Sequence, residues 1–271
     1  MKKKIIDKFK NFIKILRKPE MQILPGQLAF YFLMSFVPII ALASLVVSFI
    51  NNDYNLIEIF TSHLPEGLAN ILVQFIDSSV SGTNFIILFF CYLVMGLHGP
   101  YSIIITSNTI YGVSNSNFIE NKSKACAMTF VMIFLLIFII LIPVLGVSVF
   151  KFIDTPFFRS NPWIIDILKF IVTFFVIYCA IKFIYFMALD KHVKNRKLTA
   201  GSLFTALGWV VFSRIFSFYI LNIAKYNALY GNFANILVLL LWTYFLAYLF
   251  VVGMAINVEV YNNSDNELVG K

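Results

Sequence analysis

The stretch "NFANILVLLLWTYFLAYLFVVGMAINV", Asn232–Val258, contains no Asp, Glu, Lys or Arg. As a helix its 27 residues reach about 40 Å, more than the roughly 30 Å of hydrocarbon in a bilayer. Such a segment predicts a membrane helix. Five others are also long and predominantly apolar, with few charges: Gln27–Ile50, Asn84–Thr106, Lys124–Phe150, Trp163–Leu189 and Thr199–Ala224. The whole chain agrees, since its 271 residues are 60% hydrophobic and only 13% charged, against about a quarter charged in a soluble domain.

The expected fold is therefore all-α, a polytopic membrane protein of six transmembrane helices. Its membrane domain covers 27–258, after a cytoplasmic basic segment at 1–26 and before a disordered cytoplasmic tail at 259–271. A β-barrel is excluded because its strands would be shorter and would alternate in polarity. The first span begins too late and runs too long for a cleavable signal, and it ends in "SFINNDY" without a small-x-small site.

Charge sets the orientation. Fifteen Lys and Arg fall in the N-terminal segment, the second and fourth connections and the tail, and three (Lys151, Arg159, Lys225) fall in the opposite connections. The positive-inside rule puts both termini in the cytoplasm, and an even number of spans agrees. The net charge of +8 then reflects topology and an anionic inner leaflet more than nucleic acid.

Outside the spans, Ile5, Ile6, Phe9, Phe12, Ile13 and Leu16 recur at helical spacing among lysines, which describes an interfacial amphipathic helix. A nucleic-acid-binding arm would leave that apolar stripe without a role. The extracytoplasmic loop 51–83 carries Asp53, Glu58, Glu66 and Asp77 but no Lys or Arg. Within it Pro65 opens an amphipathic helix with Leu68, Ile71, Leu72, Phe75 and Ile76 on one stripe. Packing over the bundle and a gating role are both open to it.

Helix disruptors interrupt the first three spans: Pro38, the run His98, Gly99, Pro100, and the pair Pro143 and Gly146. Proline removes a backbone hydrogen bond, and a carbonyl freed inside a membrane must face protein or water. A cavity or gating point among these helices and simple kinked packing are the two readings. His98 sits at the disrupted point of the second span, where an imidazole buried and bonded to a carbonyl competes with a proton relay.

The sharpest polar signal is Arg214, set in the apolar run "GWVVFSRIFSFYILN". Counted from the cytoplasmic end of its span it lies roughly 22 Å deep, about 8 Å short of the outer boundary. Lys169 and Asp166, in the preceding span, lie about 9 Å and about 4 to 5 Å from that same boundary. A cation in hydrocarbon costs several kcal/mol unless it faces protein, water or an anion. The three residues therefore outline a site for a negative group, with Arg214 as a bidentate ligand and Tyr219, Asn222 and Tyr226 as further donors. The competing reading is snorkelling of the long stems to the outer headgroups. Lys182, near the inner end of the fourth span, reads as a snorkelling residue.

Catalytic chemistry has little to rest on. The sequence has no H-x-x-x-H, no Walker loop and no G-x-S-x-G, and its acidic residues are scattered. No metal or cofactor is expected. Cys91, Cys126 and Cys179 show no C-x-x-C spacing and read as packing residues within spans.

Several segments resemble one family together: "LAFYFLMSFVPII" (28–40), "SNTIYGV" (107–113), "HVKNRKLTAGSLFTALGW" (192–209) and the run from Phe216 to Val260. The combination of Tyr230 and Gly231 with Leu240, Leu241, Trp242 and Tyr244 is the most specific part. This is similar to the YihY/BrkB family of bacterial inner-membrane proteins, formerly labelled ribonuclease BN. The resemblance implies a six-helix fold and a basic residue at or beside the position of Arg214. Where the family's last helix typically reads G-A-E, this chain has Gly253, Met254 and Ala255, with Glu259 one turn later. The family's ribonuclease label finds no chemical support in these residues. Its association with envelope integrity and lipid export implies instead binding or translocation of an anionic lipid or amphiphile, through a cavity lined by Lys169 and Arg214. Membrane lipids are then the expected partners, not nucleic acid. A scaffold that binds envelope partners through the acidic loop 51–83 is the alternative.

Overall fold

A computed structural model describes residues 13, 17, 19–50, 83–113, 117–134, 162–189, 197–222 and 234–269. In chain order they form α1 (Pro19–Ile50), α2 (Thr83–Gly96), α3 (His98–Tyr111), α4 (118–134), α5 (Pro162–Ala188), α6 (Thr199–Asn222) and α7 (Ala234–Val269). No strand occurs among the described residues. Among the described residues, four stretches are long and apolar enough to cross a membrane: Phe89–Tyr111, Phe170–Ala188, Thr199–Tyr219 and Leu237–Tyr261. The first joins α2 and α3, whose boundary is a turn at Leu97. The described parts of the other two expected spans are helical, in α1 and α4.

The chain divides into two compact units. The first comprises Met1–Leu33, Tyr101–Asn121 and Phe174–Lys271, and the second Met34–Pro100 and Lys122–Thr173. In the first, Phe250 is an aromatic hub with a ring of α1 and rings of α5 and α6 around it: Phe32 at 6.3 Å, Tyr185 at 4.6 Å and Trp209 at 6.1 Å between centroids. Leu28, Ile103, Ile104, Ile181 and Val251 are fully buried in the same unit. In the second, Gly96 of α2 lies against Ile39 and Leu42 of α1 and Thr129 of α4, and a β-carbon there would meet them at 3.5 to 3.7 Å. Thr129 donates its hydroxyl to Ala125 O at 2.9 Å, which satisfies a polar side chain within its own helix.

α3 shows how a helix end is settled locally. Gly112 follows it at φ +70°, a left-handed conformation open to glycine at little cost. Gly112 N–H then donates to Thr109 O and Val113 N–H to Asn108 O, at 3.2 and 2.9 Å. This pair of reversed bonds is the Schellman termination, and it accounts for the Tyr-Gly-Val sequence that ends the helix.

Two sequence expectations change. The tail expected to be disordered from 259 is helical as far as Val269, because lengthening an existing helix needs only propagation and no new nucleus. α1 begins at Pro19, eight positions before the expected span start at Gln27, with proline in the first turn where its missing N–H costs nothing. Apart from Ile13 and Arg17, the amphipathic segment before α1 lies outside the described residues, as do the loop through residue 82 and the disruptors Pro143 and Gly146.

Candidate functional site

Within the first unit, α5, α6 and α7 meet along a polar seam. Hydrocarbon gives two apolar helices no reason to leave lipid for each other, so close association in a membrane depends on small residues and interhelical hydrogen bonds. Both are present. A β-carbon on Gly201 of α6 would collide with Gly253 O and the Asn257 amide of α7, and one on Gly253 with Thr205 Oγ1 and the Tyr185 hydroxyl. The two backbones therefore touch where glycine faces glycine.

The hydrogen bonds follow from that approach. Tyr185, on α5, donates its single hydroxyl proton to Phe250 O at 2.7 Å. Thr205 Oγ1 lies 2.8 Å from the same hydroxyl and must therefore be the donor in that contact. Trp209 Nε1 donates to Leu246 O at 2.9 Å, and Gly201 N–H to Asn257 Oδ1 at 2.8 Å. Tyr185, Thr205 and Asn257 are all at most 2% exposed. At one end the seam opens into a crevice lined by Ser107, Tyr111 and Leu198 together with Tyr185, Met254 and Asn257, too narrow in this conformation for a water molecule. Among the described residues of the unit, four side-chain atoms are buried without a hydrogen-bond partner: Ser102 Oγ, Asn108 Nδ2, Asn257 Nδ2 and Glu259 Oε1.

Arg214 lies on the opposite face of α6 from this seam and is exposed, as are its neighbours Val211, Ile215 and Phe218. Among the described residues no side chain bonds to its guanidinium. Tyr219 is exposed on the same helix, and Asn222 is the last residue of α6. Asp166 and Lys169 fall in the first turns of α5, which belong to the second unit, whereas Arg214, Tyr219 and Asn222 belong to the first. The side chains of Asp166, Lys169 and Asn222, and all of Tyr226, lie outside the described residues.

The disruptors behave differently from one another. Pro38 is buried in α1, which runs through it as helix. Gly99 and Pro100 are buried in the first turn of α3, where proline is tolerated. His98 is exposed and not buried, and its Nδ1 lies 3.1 Å from Met95 O. A carbonyl accepts only from a protonated nitrogen, so Nδ1 carries the hydrogen in this contact. Lys182 is also corrected. Its ammonium turns back along α5 to the Tyr178 hydroxyl at 3.4 Å, 5.6 Å from the ring centroid, away from the nearer end of the span. Cys91 and Cys179 are exposed rather than packed inside. Among the described residues no three His, Cys, Asp or Glu side chains come together to hold a metal ion.

Sequence reasoning missed the seam because it searched lipid-buried segments for charge. The signal was small and uncharged: Gly201 four residues before Thr205, and Gly253 four before Asn257.

Apolar membrane-length helices joined by a polar, glycine-tight seam define a helical membrane protein. The chain belongs to the virulence factor BrkB family, which matches residues 13–271. It is also similar to a protein named as ribonuclease-like, YfkH of Bacillus subtilis (strain 168), with 24% identity over 240 residues, 86% of this chain and 87% of that protein. No solved structure matches.

Proposed function

We propose that the protein spans the bacterial inner membrane six times with both termini in the cytoplasm, and that it binds or translocates an anionic lipid or amphiphile of the cell envelope. The carrying observation is Arg214. It is a permanently charged group on the exposed apolar face of α6, within a stretch that is long and apolar enough to cross a membrane. A guanidinium there has a strong demand for an anion, and a lipid phosphate supplies one in bidentate geometry. Lys169, at matching depth by the count of residues, is the second cation of the site, with Tyr219 and Asn222 as flanking donors. The reading is that of a binding or transport protein and not of an enzyme.

The test is direct binding and flux. Full-length protein in vesicles containing an anionic phospholipid should lose binding or translocation on Arg214→Ala and on Lys169→Ala, while insertion and expression stay normal. Wild-type behaviour from both variants overturns the proposal.

A further inference from the structure

Lys182 is the one charged residue in the membrane-length stretch Phe170–Ala188, and it lies about 9 Å by helical rise from the end at Ala188. A lysine that shallow usually reaches for the nearer headgroups. Here it does not, because a helical Cα–Cβ bond tilts towards the N-terminus of its helix, and the nearer end of this stretch is the C-terminal one. The ammonium instead lies one turn back, beside Tyr178. Tyr178 meets only part of its demand: three N–H donors have one hydroxyl at 3.4 Å and a ring face at 5.6 Å, which is long for a hydrogen bond. A ring face contributes about 1 to 2 kcal/mol, against the several kcal/mol that a cation in hydrocarbon costs. Tyr178 is its one partner among the described residues. Lys182 is half-buried, and Cys179, Phe183 and Phe186 beside it are exposed, so the ammonium is open to whatever surrounds the helix.

Lys182 and Arg214 belong to the same unit, on helices pinned together where Tyr185 meets Thr205. Leu189 and Leu198 share the crevice, so α5 and α6 run antiparallel. Measured from the pin, the Lys182 backbone lies about 4.5 Å along the pair and the Arg214 backbone about 13.5 Å along it in the same direction. The tilt of helical side chains then acts oppositely on the two. It carries the lysine stem towards the level of Arg214 and the arginine stem towards the level of Lys182. Two cations thus lean to a common depth from either side. Neither Phe170–Ala188 nor Thr199–Tyr219 contains an Asp or Glu, so these stretches offer no acid to neutralise them. A negative group from outside the chain is what the pair lacks.

We infer that Lys182, with the Tyr178 hydroxyl, is a second anion-binding station that receives the phosphate of an anionic phospholipid on the inner side of Arg214. Its surroundings are exposed apolar and aromatic side chains within a membrane-length stretch, so the ligand arrives from the lipid and brings acyl chains with it. The inference rests on the reading of Arg214 as a lipid site, and it names the residue that continues that site towards the inner leaflet.

Lys182→Leu tests it, because a binding residue and a structural one respond in opposite ways. The experiment uses full-length protein in phosphatidylcholine nanodiscs, titrated with phosphatidylglycerol, with melting temperature measured on the same samples. Replacing a poorly paired cation by an apolar side chain on an apolar face should leave the melting temperature equal or higher, while phosphatidylglycerol binding weakens about tenfold or more. Lys182→Arg should retain binding, and Tyr178→Phe should weaken it about two- to threefold. A lower melting temperature or a failure of Lys182→Leu to fold would show that the lysine supports the fold, and overturns the station. Arg214→Ala is run in parallel to separate two failures. Unchanged binding in Lys182→Leu with lost binding in Arg214→Ala overturns the station alone. Unchanged binding in both variants, or no phosphatidylglycerol binding by the wild type, overturns the station together with the lipid reading of Arg214.

Discussion

The two halves of α6 place their polar residues under opposite rules. From Gly201 to Trp209 the helix lies against α7 so closely that glycine is required, and Gly201, Thr205 and Trp209 each bond to a partner on that helix or on α5. From Val211 to Tyr219 the exposed positions are mostly apolar, and the one charged residue, Arg214, has no partner among the described residues. Polar groups enclosed by protein are settled inside the chain, since an unmet donor in a dry interior costs about 1 to 3 kcal/mol. A charge facing outward is settled by whatever lies beside it, which in a membrane is lipid, water or ligand. The first half is therefore read from stability and the second from binding.

The largest effect should come from breaking the tight half. In Gly253→Leu the new side chain begins where Thr205 Oγ1, the Tyr185 hydroxyl and the Gly201 carbonyl already sit. Backbone leaves no flexible end to move aside, so a loss of about 3 kcal/mol is expected, at the upper end for overpacking. Thermal unfolding in detergent checks it, and a melting temperature close to wild type would show that the seam is looser than described. Tyr185→Phe is the milder break. It removes a hydroxyl that serves Phe250 O and Thr205 Oγ1 together, with an expected loss of about 1 to 2 kcal/mol in the same assay. Equal losses from Tyr185→Phe and from Thr205→Val would show that one linked set of bonds is being cut.

How much of this was legible in the sequence follows from the same contrast. Membrane helices announce themselves by apolar length, so the helical class and the span positions from Phe89, Phe170, Thr199 and Leu237 follow from composition. Arg214 was legible because a guanidinium stands out in lipid-like sequence. The seam was not, because Gly201, Thr205, Gly253 and Asn257 are ordinary residues individually, and only the pairing of two helices makes their i, i+4 spacing meaningful. Asn257 as a cap for another helix could not be read at all, since sequence rules look for caps next to the helix they serve. Lys182 fails for a related reason: its depth suggested the nearer interface, but Tyr178 one turn back offers both a hydroxyl and an aromatic face.

The open half predicts the reverse pattern. Arg214→Ala should change the melting temperature very little, within about 0.5 kcal/mol, because an exposed side chain without a described partner supports nothing within the fold. Its effect should appear in anionic-lipid binding alone. A large loss of stability from this variant would mean that the guanidinium has a partner within the chain after all, and the contrast between the halves of α6 would fail.

Arg214→Lys gives the smallest and most discriminating change. Lysine keeps the positive charge and a long stem but replaces the planar five-donor fork by a single ammonium. If Arg214 only neutralises charge or snorkels towards headgroups, lysine is a full substitute and lipid binding stays within about twofold of wild type. If it grips two oxygens of one phosphate at once, the second bond is lost and affinity drops by about three- to tenfold, with stability unchanged in both cases. Measuring binding to vesicles at two salt concentrations separates these outcomes further. Screening weakens the attraction of both side chains for the surface alike, whereas the geometric part of the arginine contact persists as a constant ratio between the two proteins.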